Sequence, residues 1–228
     1  MSFSAVKSRN RSRFNEVQIY LNYISSLEPT NPAEQVSLEL KIQRGLFYVQ
    51  LYAALEKSIN DTIETTLFLI ASKSVKGIHY SSGFSVVAFS NKLRGLKDSG
   101  YNNFFNKSIE VFEEARSTNV TPINEAVFAT SLQNVWAKTI DEVYRSLGMK
   151  EFKLTARERA TIDEIVDKRN AVAHGRESAS VAGERHRSNI LREKYNVISE
   201  ISIRVIDDME TYFSNKIYLK PVAKKYYA

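Results

Sequence analysis

The sequence predicts an all-α fold, and three observations carry that prediction. Only 8 of the 228 residues are glycine and 4 are proline, so few positions interrupt a helix. In several long stretches the apolar residues recur every three or four positions, which is the period of a helix with one buried face. Apolar residues make up 43% of the chain, and a chain of this length can bury a sizeable core.

Charge and composition narrow the functional classes. The net charge of +6 favours a polyanionic partner, although many proteins that bind no nucleic acid are mildly basic. Cysteine is absent, which excludes disulfides and thiolate metal sites and fits a reducing cytoplasm. The longest apolar run, residues 67–71, is far shorter than the roughly 20 residues that span a bilayer. The first residues lack the apolar core of a signal peptide, so we expect a cytoplasmic protein without a membrane segment.

The N-terminal residues predict a basic arm followed by a first helix. Residues 1–13 carry four basic side chains among serines: Lys7, Arg9, Arg11 and Arg13. Such a terminus is expected to be mobile, and plain solvation is favoured over contact with RNA. Apolar residues recur at helical spacing from Phe14 to Ile24, so the first helix is expected to begin at Phe14.

A second, long helix is predicted from Pro32 to about Lys73. Asn31 is expected to cap it, with Pro32 at its first position, and Gly45 marks a bend or a break. Its apolar stripe has a spacing of four residues: Phe47, Leu51, Leu55, Ile59, Ile63 and Leu67. Glu56 lies one residue off this stripe. Either it points to solvent, or it is an acid that reaches into a cleft holding an arginine.

The segment 76–124 has a weaker and more irregular pattern. Its apolar run 84–89 fits either a strand or a buried turn, while residues 104–116 have the pattern of a short amphipathic helix. His79 has no second ligand at metal spacing and is expected to be an ordinary surface histidine.

The second half of the chain predicts two more helices before the C-terminal one. Residues 125–147 have an apolar face and are followed by Gly148, which predicts a helix that ends there. Thr155 and Glu158 form a capping box, which predicts the start of the next helix.

A last helix is expected at residues 190–216, and residues 217–228 form a basic, aromatic tail. The chain contains neither an internal repeat nor a low-complexity block large enough to define a second domain. Residues 14–216 are therefore expected to form a single domain.

The stretch DKRNAVAHG, residues 167–175, ends the helix that the capping box begins. On a wheel of about 100° per residue, Arg169 falls in the centre of the apolar side. A charge there is costly unless it is paired or faces a wet cleft, so a function is expected at this position. His174 lies about 140° around the helix and about 7.5 Å further along. Because it follows Asn170 by one turn, Asn170 is expected to hydrogen-bond the imidazole and fix its tautomer.

These groups suit the cleavage of RNA without a metal. His174 can take the proton of the 2′-hydroxyl or protonate the leaving 5′-oxygen, and Arg169 can stabilise charge on the transition state. The acidic residues near the motif fall on the opposite helix face, so no metal-ligand set is expected. The spacing alone is a weak signal, because a histidine before a glycine is also an ordinary helix ending.

RNAVAH in this sequence resembles the R-x4–6-H motif of the HEPN-superfamily ribonucleases, in which a polar residue commonly follows the arginine. The surrounding IVDKRNAVAHG is similar to the form found in HEPN-like nucleases of bacterial conflict systems. Two upstream stretches, GLFYVQLYAALEKSIN and NVWAKTIDEVYRSLGM, resemble helices of the same group. The resemblance covers most of residues 45–215.

The resemblance implies an up-and-down helical bundle that dimerises, with residues 76–124 as an insert that acts as a lid, a partner surface or a specificity element. Two copies of the motif would face each other across the dimer axis, so that Arg169 of one chain acts with His174 of the other. Asn170 would be the accompanying polar residue. The implied activity is a metal-independent, cofactor-free endoribonuclease of a toxin–antitoxin or antiphage system, with an antitoxin or regulatory protein as its partner.

Four basic side chains follow the motif: Arg176, Arg185, His186 and Arg187. They fit RNA-phosphate contacts and a solvated loop equally well. Two other functions stay open beside the enzyme. One is a non-catalytic HEPN-like module that binds RNA, a nucleotide or a protein, and the other is a structural adaptor in which Arg169 is simply salt-bridged to Glu56. The presence of both the arginine and the histidine favours the enzyme.

Overall fold

The computed structural model describes residues 1–31 and 34–227. Within those ranges the chain forms α-helices, short 3-10 helices and turns, without a β-strand, which confirms the all-α prediction. The α-helices are α1 (Phe3–Ser26), α2 (Leu38–Ala71), α3 (Ser85–Ala88), α4 (Ser90–Asp98), α5 (Phe104–Arg116), α6 (Ala137–Ser146), α7 (Ala156–Ala173), α8 (Ala179–Ala182) and α9 (Ser188–Ser214). In the described part of the chain, no helix is both long and apolar enough to cross a bilayer.

The long helix α2 is the central element of the bundle. It packs against α1, α7, α8 and α9, and the six residues of its predicted apolar stripe are all buried. Because α2 has neighbours on several sides, the buried surface extends beyond that stripe to Tyr48 and Tyr52, both fully buried. This arrangement places the polar residues of α2 beside α7.

The observed start of α2 differs from the predicted one. Residues 34–37 are not helical, and the helix begins at Leu38, where the Ser37 side chain accepts a hydrogen bond from the Leu40 N–H at 3.2 Å. Pro32 lies outside the described residues. Gly45 does not break the helix, which is continuous from Leu38 to Ala71. It allows α8 to approach, because a Cβ atom there would lie 1.8 Å from the carbonyl oxygen of Ala179.

Helix α1 begins at Phe3 rather than at Phe14, so most of the predicted mobile arm is ordered helix. Two of its basic residues bind one buried acid on α2. Arg9 and Arg13 contact Asp61 Oδ2 at 3.1 and 2.5 Å. The pKa of Asp61 is lowered, since these contacts, together with Lys57, outweigh the effect of its burial. The extension also had a local signal that the prediction did not use: the Ser2 side chain caps the helix, and Phe3 and Val6 are buried on the same face.

The segment 76–124 folds as short helices on one side of the bundle. The apolar run 84–89 contains α3, so it forms neither the strand nor a plain turn. The amphipathic helix predicted at residues 104–116 is confirmed with those boundaries as α5. His79 is half-buried rather than an ordinary surface histidine, because its Nδ1 lies 2.7 Å from the hydroxyl of Tyr227 in the tail.

The helix predicted at residues 125–147 is shorter than expected. Residues 125–136 form turns and one short 3-10 helix, and α6 begins only at Ala137. Its N-terminal N–H group at Ala137 donates a hydrogen bond to Asp163 Oδ1 of α7 at 3.0 Å. An acid at this position caps the positive end of α6. The chain reverses after α6 at Gly148, which has the positive φ of 75° that favours glycine.

Helix α7 forms as the sequence predicts. Both hydrogen bonds of the capping box are present: the Glu158 N–H bonds the Thr155 hydroxyl at 3.2 Å, and the Thr155 N–H bonds the Glu158 carboxylate at 2.7 Å. The helix ends before Gly175, whose φ is +68°. The boundaries of this helix therefore follow from local residues alone.

Candidate active site

Arg169 projects from α7 toward α2. It follows the fully buried Ile162 and Ile165 by two turns and one turn, which places it on the same helix face. Its guanidinium carbon lies 4.1 Å from the centroid of the Tyr52 ring, a cation–π contact. Its Nη2 donates a hydrogen bond to Glu56 Oε2 at 3.0 Å. The charge on the apolar face is thus satisfied by an aromatic ring and a carboxylate.

The other guanidinium nitrogen is held by two asparagines. Nη1 of Arg169 donates to Asn170 Oδ1 at 2.7 Å and to Asn134 Oδ1 at 3.4 Å. Asn134 comes from the segment before α6, so three parts of the chain converge on one side chain. A guanidinium with this many directional contacts has little rotational freedom.

Tyr52 links Arg169 to the segment that carries Asn134. Its hydroxyl accepts a hydrogen bond from the Val135 N–H at 3.0 Å and donates one to the Gln133 carbonyl at 3.4 Å. Burial raises the pKa of Tyr52 to about 12, so the hydroxyl stays protonated at neutral pH. Tyr52 therefore carries the arginine on its ring and fixes, through its hydroxyl, the segment that presents Asn134.

Solvent reaches this cluster. The side chains of Arg169 and Glu56 are 22% and 26% exposed, and Asn134 is exposed. Of the two alternatives for Glu56, the structure shows the acid that reaches the arginine. A pair with this exposure contributes modestly to stability, because water screens it.

His174 lies at the C-terminal end of α7 as its capping residue. Its backbone N–H donates to the carbonyl oxygen of Asn170 at 3.0 Å. The imidazole is exposed and has no hydrogen-bond partner among the described residues. The predicted hydrogen bond from the Asn170 side chain to the imidazole is wrong: the two side chains are not bonded, and the Asn170 amide oxygen accepts from Arg169 Nη1 instead.

The two motif residues do not meet within one chain. They are five positions apart on a helix, which puts His174 roughly 7.5 Å further along the axis and about 140° around it. Arg169 faces α2, while His174 faces outward at the end of α7. Arg169 therefore lies against α2, and His174 lies at the exposed end of α7.

The four basic residues after the motif have different surroundings. Arg176 and Arg185 are exposed, and Arg176 lies 3.4 Å from Asp167. Arg187 is half-buried at the start of α9. Arg176 and Arg185 are therefore the more accessible members of the set, and Arg176 follows the end of α7 directly.

His186 points into the protein. Its Nδ1 is hydrogen-bonded to the Tyr48 hydroxyl at 2.5 Å, and its side chain is 28% exposed. Burial lowers the pKa of His186, and Lys194 opposes its protonation further. The carboxylate of Glu164 lies 3.5 Å from the ring, but it is bound more closely by Lys194, at 2.5 Å. We therefore regard His186 as neutral near pH 7, so its contact with Glu164 is not an ion pair.

Acidic residues near the motif have structural partners instead of forming a metal site. Asp163 caps α6, Glu164 binds Lys194, and Asp167 approaches Arg176. Across residues 1–31 and 34–227, no group of three histidine, cysteine, aspartate or glutamate side chains is arranged to hold a metal ion.

Sequence reasoning missed two members of the cluster, Tyr52 and Asn134. Tyr52 precedes Glu56 by one helical turn, so both lie on the same side of α2, and this spacing was a signal. Asn134 carried no signal, because its segment was assigned to a helix that does not form there.

A comparison with protein families identifies the chain. Residues 8–215 match the family described as RiboL-PSP-HEPN. The chain is a member of the RiboL-PSP-HEPN family. The match covers most of the chain and includes α2, the segment before α6, and α7, which together assemble the arginine cluster of this HEPN domain. No curated protein and no solved structure matches the chain.

Proposed function

We propose that this HEPN domain is a metal-independent endoribonuclease whose catalytic groups are Arg169 and His174. One observation carries the proposal: a partly exposed guanidinium held by several contacts belongs to the same short segment as an exposed histidine that has no hydrogen-bond partner among the described residues. HEPN domains are often ribonucleases, so the family fits this activity. The net charge of +6 favours a polyanionic substrate.

In the proposed reaction the RNA itself supplies the nucleophile. A neutral imidazole takes the proton of a 2′-hydroxyl, and the 2′-oxygen attacks the adjacent phosphorus. The bond from phosphorus to the 5′-oxygen breaks, and that oxygen accepts a proton from an imidazolium. Arg169 stabilises the negative charge that builds on the non-bridging oxygens. The products are a 2′,3′-cyclic phosphate and a 5′-hydroxyl end.

We propose that the complete site is shared by two chains. This sharing is supported by the contacts of Arg169 with α2 and by the exposure of His174 at the end of α7, although a long arginine side chain could also reach a phosphate at His174 of its own chain. Across a two-fold axis near the end of α7, Arg169 of one chain would act with His174 of the partner subunit. Arg176 and Arg185 would then contact RNA phosphates beside the scissile bond, and Asn170 would hold the guanidinium in place.

The ion pair between Arg169 and Glu56 supports a second candidate function. In a non-catalytic HEPN module, the arginine would serve only to join α7 to α2, and the domain would bind RNA, a nucleotide or a protein. Such a role predicts that substituting His174 has no consequence for RNA.

A cleavage assay separates the two functions. Purified protein is incubated with RNA in EDTA, beside His174→Ala, Arg169→Ala and the control His79→Ala, which changes a histidine on another side of the bundle. We expect cleavage by the wild type and the control only, with cyclic-phosphate ends, and no cleavage of RNA carrying 2′-O-methyl groups. Equal cleavage by wild type and His174→Ala would refute the catalytic assignment.

The shared site has its own test. Mixing the two inactive variants, Arg169→Ala and His174→Ala, lets mixed dimers form, and one of the two sites in such a dimer can combine an intact arginine with an intact histidine. We expect partial recovery of cleavage. If cleavage is present in the wild type and absent in the mixture, each chain has a self-contained site.

We also propose a role as a toxin or defence effector that a partner protein restrains, on the strength of the resemblance of IVDKRNAVAHG to nucleases of conflict systems. Expression in bacteria should then arrest growth. The arrest should be relieved by His174→Ala and should persist with His79→Ala.

A further inference from the structure

Helix α5 displays an apolar face that no other part of the described chain covers. Its members, which we name the aromatic stripe, are Tyr101, Phe105, Ile109 and Phe112. They are 87%, 70%, 54% and 66% exposed. Their spacings of four, four and three residues place them on one side of α5 and of the turn that precedes it. A contiguous exposed apolar patch of this kind marks an interaction surface.

The C-terminal end of the helix that carries the stripe is attached to the segments beside it. At its C-terminal end the Ile78 N–H donates to the Ser117 carbonyl at 3.0 Å, and the Thr121 hydroxyl donates to Glu114 at 2.6 Å. A Cβ atom on Gly77 would lie 2.2 Å from the Glu114 carbonyl oxygen, so only glycine allows this close approach. The opposite face of α5 packs on α4. The C-terminal end of the stripe is therefore held in a defined position on the protein.

The charges around the stripe do not favour a nucleic acid. Residues 90–116 contain five basic and four acidic side chains, so their net charge is +1. Glu113 is exposed and lies beside the stripe on the helix wheel. A polyanion would gain little from this surface, because its affinity depends on neutralising phosphates.

The exposed residues of α5 are spaced almost symmetrically about Ile109, so two copies of the helix could pack against each other in antiparallel orientation. Phe105 lies four residues before Ile109, and Phe112 lies three residues after it. Tyr101 and Arg116 lie eight before and seven after. Two copies crossing antiparallel at Ile109 would pack Phe105 on Phe112 and place the Arg116 guanidinium over the Tyr101 ring. The Arg116 guanidinium is exposed and has no ion-pair partner among the described residues.

A parallel pair lacks this complementarity. It would bring Glu113 against the same residue of the second copy, and like charges at that spacing repel. It would also place the two arginines side by side. In the antiparallel pair, the C-terminal half of one helix, which carries the acidic residues, lies against the N-terminal end of the other. That end begins with the uncharged residues Phe104-Phe105-Asn106.

The exposed apolar area of the stripe is sufficient for a specific protein–protein interface, although for a small one. Four large side chains with these exposures present on the order of 500 Å² per copy. Two copies would bury about 1,000 Å² in total, near the minimum for specific interfaces. We propose that the aromatic stripe is a self-association surface, on which α5 of a second copy of this chain docks antiparallel about Ile109. This contact is separate from the shared cleavage site and does not depend on the domain being a ribonuclease.

The chain has no cysteine, so single cysteines report the contact directly. With a short bis-maleimide, Ile109→Cys should cross-link to itself, while Ile203→Cys, at a position 49% exposed on α9, should not. Phe105→Cys mixed with Phe112→Cys should cross-link between chains, and each alone should react weakly. Equal cross-linking at Ile109 and Ile203, or strong self-linking of Phe105→Cys, would overturn the antiparallel contact.

Association measured by sedimentation gives an independent readout. The double substitution Phe105→Glu/Phe112→Glu changes exposed residues, so the helical circular-dichroism signal should be retained. The average mass should fall relative to the wild type over the same concentration range, and single-stranded RNA binding should not change. An unchanged mass would overturn the proposal, and an unchanged mass with lost RNA binding would assign the stripe to RNA instead.

Discussion

Arg44 and Arg169 each bind a glutamate, yet their surroundings differ. Arg44 is 1% exposed, and two of its nitrogens contact the two carboxylate oxygens of Glu28. Glu28 also accepts the Ser188 N–H at 2.9 Å, which ties the residues after α1 to the start of α9. Arg169 is 22% exposed and gives only one nitrogen to Glu56, while the asparagines and the Tyr52 ring hold the rest. Both are arginine–glutamate pairs, but the pair of Arg44 is buried and joins helices, whereas the pair of Arg169 is accessible to solvent.

The difference teaches how to separate a structural arginine from a reactive one. A buried ion pair leaves a large penalty when one partner is lost, because the remaining charge stays out of water. A partly exposed pair can exchange its partner for water or for a substrate phosphate at small cost. Stability should therefore depend on the first pair, and RNA cleavage on the second.

The largest expected effect is on the free energy of unfolding, when the glutamate of each arginine–glutamate pair is replaced by glutamine. Glu28→Gln should lower the free energy of unfolding by about 3–5 kcal/mol, because it leaves the Arg44 charge buried without a counter-charge. Glu56→Gln is the matched control and should change it by less than about 1 kcal/mol. Urea unfolding of both variants checks this. Equal losses would remove the distinction between the pairs.

Arg169→Lys should separate activity from stability. Lysine keeps the charge but loses the planar fork that contacts the asparagines and stacks on Tyr52. We expect RNA cleavage to fall by about 10²–10³-fold, as for the loss of one transition-state donor, with unfolding within about 1 kcal/mol of the wild type. Single-turnover cleavage and urea unfolding give the two numbers. Full cleavage by the lysine variant would show that Arg169 acts as a simple charge.

Glu56→Gln should also have a measurable but smaller effect on cleavage. Glu56 acts on the reaction through Arg169, so it is a positioning residue. Replacing a charged hydrogen bond by a neutral one costs about 1.4 kcal/mol at most, or about tenfold in rate. We expect the rate constant to fall with little change in the RNA concentration needed for half-maximal rate. A rate above that of the wild type would mean that the ion pair restrains the arginine.

The smallest expected effect concerns pH and His186. Its pKa in the folded chain lies below the ordinary value of 6.5, so the unfolded chain takes up a proton first as pH falls. The wild type should therefore lose stability from about pH 6.5 down to the folded pKa, and keep this contribution above pH 6.5. His186→Gln removes the titrating group and should flatten that part of the profile. Urea unfolding at several pH values tests it, and parallel profiles would contradict it.

Local residues were enough for the helix that carries the motif. The Thr155 capping box and Gly175 set its two ends, because caps and positive-φ positions act on neighbouring backbone groups. The same holds for α5, whose boundaries at Phe104 and Arg116 were predicted from its periodicity. The position of Arg169 on an apolar face was also readable, since it depends only on helical period.

Partners that are distant in sequence were beyond the reach of those patterns. Arg9 and Arg13 of α1 contact Asp61 of α2, and His186 contacts Tyr48 of α2. Each of these pairs is separated by dozens of residues, so no local spacing encodes it.

The sequence by itself determined an all-α chain, the helix that ends in DKRNAVAHG, and an arginine that needs a partner on its apolar face. Only the tertiary structure decided what that partner is, because α2 and the segment before α6 meet α7 only after folding. It supplied Tyr52 and Asn134, turned the Asn170 amide toward Arg169, and left His174 exposed. The physical reason is range: caps and helical periods act over a few residues, whereas ion pairs, ring contacts and burial depend on which distant residues come together.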